Sequence, residues 1–66
     1  MKFEYDKEVD AAYIYLEYPP RPVKKTVELK EDIILDLDEK GKLLGLEILN
    51  ASKIVNKKTL LEAQTA

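Results

Sequence analysis

Cysteine and histidine are both missing from this chain of 66 residues. Their absence excludes disulfides, zinc sites built from Cys and His, and nucleophilic chemistry that relies on a thiol or an imidazole. No apolar run approaches the roughly 20 residues of a membrane span. The opening Lys2-Phe3-Glu4-Tyr5-Asp6 does not lead from a basic start into an apolar stretch, so a cytoplasmic protein is expected. Charge of one sign is also lacking in excess, with 11 basic and 13 acidic residues and a formal charge of -2. No global field therefore favours nucleic acid or an anionic membrane, and neither is expected as a partner.

What is present reads as one small domain over residues 1–66. A chain this short buries only about 60% of its unfolded surface, so its core alone is marginal and association is a natural route to stability. Met1, Phe3 and Tyr5 alternate with Lys2, Glu4 and Asp6, the period of a half-buried strand. Asp6 to Asp10 is a polar turn, and a second strand follows from Ala11 to Glu17. In it Ala12, Ile14 and Leu16 share one face, while Ala11, Tyr13, Tyr15 and Glu17 share the other. Tyr18-Pro19-Pro20-Arg21-Pro22 ends that strand, since proline lacks the N–H that a ladder needs. It reads as a stiff connector rather than a recognition motif.

Beyond it, Arg21 to Lys30 carries four bases against Glu28 alone, and Glu31 to Glu39 carries five acids and no base. That contrast favours pairing a strand near Val23 to Leu29 with one near Ile33 to Leu37. The clearest hairpin lies at Ile33 to Leu49. A three-residue loop Glu39-Lys40-Gly41 sets Asp38 opposite Lys42, Leu37 opposite Leu43, Leu35 opposite Gly45 and Ile34 opposite Leu46. In that register Ile33, Leu35, Leu37, Leu43 and Leu49 share one face with Glu47, and Ile34, Leu44, Leu46 and Ile48 share the other. Both faces are then apolar enough to need cover. A C-terminal helix, begun by Asn50 or Ser52 and interrupted at Asn56, covers one. A second copy of the chain is the simplest cover for the other, so a homodimer is expected. The expected fold is α+β, an antiparallel sheet of about five strands in a meander of hairpins over residues 2–49, with the helix and tail at 50–66 packed on one face.

The residues also carry a resemblance. Tyr5-Asp6-Lys7-Glu8-Val9-Asp10-Ala11-Ala12-Tyr13-Ile14, followed by Asp36-Leu37-Asp38-Glu39-Lys40-Gly41-Lys42-Leu43-Leu44-Gly45-Leu46-Glu47-Ile48-Leu49, resembles a widespread family of small prokaryotic proteins of unknown function. Its patterns are YDxExDAxYI and DxDxxGxLxGxEIL. The likeness runs to about Val55 and implies an accessory or antitoxin-like role beside a neighbouring gene product. The tail from Asn56 departs from it.

Three chemical readings compete over the side chains. Asp36, Asp38, Gly41 and Glu47 fall at the first, third, sixth and twelfth places of a calcium loop, but Lys40 and Leu44 stand where ligands belong and the flanks read as strands. No metal and no cofactor is expected. Asp36, Asp38 and Glu47 could serve a very small carboxylate-based enzyme or a ligand-binding protein, yet a domain of this size has little room for a pocket, and for Asp36 and Asp38 facing solvent or pairing with Lys25 and Lys42 is the simpler reading. Glu47, Lys25 and Asp36 are thus candidates for buried or paired charges. Tyr13, Tyr15 and Tyr18 are the candidate protein interface, because amphipathic aromatics concentrate at interface centres. The function expected is a non-enzymatic protein-interaction module with a heterologous partner besides its own copy.

Overall fold

Alternation builds the first hairpin where the sequence places it. In the computed structural model, which describes residues 1–65, β1 (Lys2–Asp6) and β2 (Ala11–Tyr15) pair antiparallel, with Tyr5 opposite Ala12 and Lys2 opposite Tyr15. The proline connector follows, and then β3 (Lys25–Lys30) pairs with β4 (Ile33–Leu37) as the opposed charge runs suggested. The chain turns into β5 (Leu43–Leu49) through the three-residue loop. Gly41 has φ 80°, the left-handed conformation that glycine adopts without penalty, and the Asp38 N–H donates to the Lys42 carbonyl at 2.9 Å.

Strand order departs from a meander. The sheet runs β3-β4-β5-β2-β1-β6, so β2 lies against β5 and the first hairpin is appended to the far side of the second. The sheet is antiparallel through its first five strands. The short β6 (Gln64–Thr65) then adds to the outer edge of β1 in parallel.

The register of the central hairpin also differs from the expected one. Leu37 does pair with Leu43, but β5 carries one extra residue, Leu44, and beyond it Asp36 pairs with Gly45, Leu35 with Leu46 and Ile34 with Glu47. An inserted residue in one strand reverses the facing of everything beyond it relative to its partner. Ile33 and Leu35 therefore join Leu46, Ile48, Ala12, Ile14, Phe3 and Tyr5 on one face. Ile34, Asp36, Gly45 and Glu47 join Tyr13 and Tyr15 on the other. The sheet has one aliphatic face and one face of tyrosines and carboxylates, so the second apolar face on which the homodimer expectation rested does not form. Glu47 lies beside Tyr13 rather than in a row with Leu43.

Two short helices sit on the aliphatic face, α1 (Ala51–Ile54) and α2 (Lys57–Glu62). Asn56 separates them and starts the second, its side chain accepting from the Thr59 N–H at 3.2 Å. Neither the Asn50 nor the Ser52 side chain caps the first. The cap comes from Asp10, 42 residues away, whose carboxylate accepts from the Ser52 N–H at 3.0 Å and from its hydroxyl at 2.7 Å. The Asp10 carbonyl accepts from the Ala51 N–H at 2.9 Å. Tyr5 donates to the same carboxylate at 2.6 Å, foremost among the contacts that hold the Asp10 carboxyl below its ordinary range. One aspartate thus ties the first hairpin to the start of α1.

The core is small. Ala12, Ile48, Ala51 and Leu60 are buried together, with Phe3, Tyr5, Ile14, Leu46 and Val55 packed against them. All of these lie on β1, β2, β5, the helices and, for Val55, the link between the two helices. Val27, Ile33 and Leu35, on the β3 and β4 half of the same face, stay only partly buried, and Ile54 is 44% exposed. No helix among the described residues is long and apolar enough to cross a membrane.

Candidate functional site

The tyrosine face is ordered by cross-strand pairing. One row crosses the sheet as Glu4, Tyr13, Glu47, Ile34 and Glu28, and the next as Lys2, Tyr15, Gly45, Asp36 and Thr26. Tyr13 and Tyr15 are neighbours on β2, with ring centroids 4.5 Å apart and planes tilted by 53°. Tyr18, carried back by the proline connector, meets Tyr15 edge-on at 5.2 Å. The three tyrosines singled out by sequence therefore form one continuous strip.

Tyr13 reaches diagonally across β5 to Asp36 and donates its hydroxyl to that carboxylate. Gly45 makes this reach possible. A Cβ there would lie 2.9 Å from the Tyr13 ring and 2.9 Å from its hydroxyl, and 2.5 Å from the Ile14 carbonyl oxygen. Burial, reinforced by Asp36, raises the Tyr13 pKa well above the ordinary tyrosine value, so the hydroxyl stays protonated as the donor. Asp36 is buried as a paired group, but its partner is Tyr13 and not Lys25 or Lys42. Lys25 is exposed and takes part in no ion pair among the described residues.

At one end of the strip the Lys2 ammonium stands 4.2 Å from the centroid of the Tyr18 ring. It donates to the Tyr18 hydroxyl at 3.2 Å and pairs with Glu4 at 3.2 Å. These contacts, Tyr18 first, raise the Lys2 pKa. Sequence reasoning missed Lys2 in this role, although the hairpin register already sets it opposite Tyr15. It also missed Gly45, whose signal was a glycine inside a strand otherwise built of large side chains.

Asp38 is engaged elsewhere. Its carboxylate accepts from the backbone N–H groups of Lys40 and Lys42, each at 2.9 Å, and from Arg21 at 3.0 Å. The Lys42 N–H foremost, with Lys40 and Arg21, lowers its pKa against the effect of burial. Asp36 and Asp38 both serve the fold. No group of three or more acidic side chains among the described residues is placed to hold a metal ion.

The domain does have room for a groove, contrary to expectation. A half-open hollow of about 780 Å³ lies between the β1–β2 turn and α2, lined by Tyr5, Glu8, Ser52, Lys57 and Leu61 among others. Asp36, Asp38 and Glu47 are not part of its lining, so the carboxylates proposed for catalysis do not converge on it.

The fold that carries these features is a small α+β domain. The chain is a member of the family described as protein of unknown function (DUF2283), whose model matches residues 2–52. The matched segment contains all five antiparallel strands and closes on Ser52, the residue that Asp10 holds. An uncharacterized protein of Methanocaldococcus jannaschii is 46% identical over 56 residues, covering 85% of this chain and 46% of the relative. The chain thus spans about half the length of the curated relative it matches. No solved structure matches it.

Proposed function

We propose that the protein is a non-enzymatic protein-interaction module. It self-associates through the uncovered half of its aliphatic face and offers the tyrosine face to a different protein. The supporting observation is surface area. The chain exposes 5013 Å², against about 4,300 Å² expected for a folded monomer of its mass. The excess of roughly 700 Å² is close to the ~800 Å² that each partner contributes to a standard interface. On the half of this face beyond the helix-packed core, Val27, Ile33 and Leu35 are partly buried and Ile54 is 44% exposed.

An accessory or antitoxin-like role fits this reading, because neutralising a partner requires surface and no reactive group. Sedimentation equilibrium at high-micromolar concentration is expected to show a dimer, and Leu35→Glu is expected to return it to a folded monomer. A wild-type chain that sediments only as a 7.6 kDa species would overturn the self-association.

A further inference from the structure

The geometry points to the chemistry of the partner at the tyrosine face: an extended segment of another protein whose arginine or lysine side chains seat on the rings of Tyr13, Tyr15 and Tyr18. This rests on reading that face as a protein interface. The face already holds a cation, its own. Lys2 occupies the Tyr18 ring at 4.2 Å while its charge is met by Glu4, the combination of ring face and carboxylate that holds ammonium and guanidinium groups.

The surroundings repeat that chemistry without repeating the cation. Tyr13 is flanked across the strands by Glu4 on one side and Glu47 on the other, with Glu28 further along the same row. Glu47 and Glu28 enter no ion pair among the described residues. Lys2 is the only base in the two rows. A second copy of this face would bring like charges together, and phosphates would meet carboxylates, so neither the same chain nor a nucleic acid suits it. A cationic segment suits both the rings and the acids. Lys2 is then a placeholder that an incoming cation displaces from Tyr18.

The test uses the full chain and a fluorescein-labelled (Arg-Ser)4 peptide, with a citrulline-for-arginine version as the neutral counterpart, read by anisotropy. The arginine peptide is expected to bind about tenfold more tightly than the citrulline one. Tyr18→Ala, at an exposed connector, is expected to weaken it by about threefold to fivefold, and Glu47→Gln by about threefold. Lys2→Ala is expected to tighten binding about threefold by vacating the ring, whereas Lys53→Ala, on the helix side, leaves it unchanged. Equal binding of the two peptides overturns the inference, as does equal tightening by Lys2→Ala and Lys53→Ala, or no binding of the arginine peptide. A (Leu-Ser)4 peptide separates this from the broader reading. If it alone binds and Tyr18→Ala weakens it, the face is a protein interface that does not read charge. If no peptide binds and no dimer forms, both readings fall.

Discussion

The two faces of the sheet are held in different ways. On the helix side, order comes from burial: Ala12, Ile48, Ala51 and Leu60 exclude water, and half of that face still lacks cover. On the tyrosine side, order comes from directed contacts, with Tyr13 bonded to Asp36 over Gly45 and Lys2 seated on Tyr18. Burial is non-directional, whereas a hydrogen bond that must cross a neighbouring strand tolerates little displacement. A small domain with a marginal core thus orders its two faces by different means.

The largest expected effect lies where the directed face meets the backbone. Gly45→Ala places a Cβ against the Ile14 carbonyl and the Tyr13 ring, and is expected to destabilise the fold by about 3 kcal/mol in urea denaturation. A loss below about 1 kcal/mol would mean that the tyrosine face adjusts as freely as the aliphatic one. Tyr13→Phe comes next. It leaves the Asp36 carboxylate buried without its donor and is expected to cost about 1 to 3 kcal/mol, with Asp36→Asn in the same background recovering part of it.

The smallest effects are in pH and fall at opposite ends of the pH range. The Asp10 and Asp38 pKa values are lowered by folding. Their stabilisation is present above the unfolded carboxylate value of about 3.9 and is lost as pH falls through the lower folded value. The Tyr13 pKa is raised, so its stabilisation is complete below the unfolded value of about 10 and declines as pH rises beyond it. Melting temperature against pH is expected to fall at both ends, with Asp10→Asn acting chiefly on the acid limb and Tyr13→Phe flattening the alkaline one. A Tyr13→Phe chain with an unchanged alkaline limb would show that Asp36 does not hold that hydroxyl.

Local elements were legible in the sequence and their assembly was not. Alternation placed β1 and β2, opposed charge runs paired β3 with β4, Asn56 broke the helix, and Gly41 fixed the turn. Turn length determines only the first pairs of a hairpin, so the bulge at Leu44 and the facing of Ile33 to Asp36 could not be read from it. The strand order was hidden because nothing within β2 specifies β5 as its neighbour. The Asp10 cap was hidden because its oxygen comes from 42 residues away, while Asn50 and Ser52 beside the helix are both residue types that cap. The tyrosine strip was legible by period for Tyr13 and Tyr15, while the bond to Asp36 depended on the unread register.

The β2–β5 seam also bears on how the chain folds. β1–β2 and β3–β4–β5 are each joined by short turns, whereas the seam brings together residues thirty or more positions apart, with Tyr13 opposite Glu47, and the Asp10 contact to Ser52 and the pairing of β6 with β1 span still longer separations. Local pieces form quickly and distant pairings slowly, so docking of the two halves is the step expected to set the folding rate. Tyr13, Gly45 and Asp36 straddle that seam, which makes them clocks for the moment the halves join.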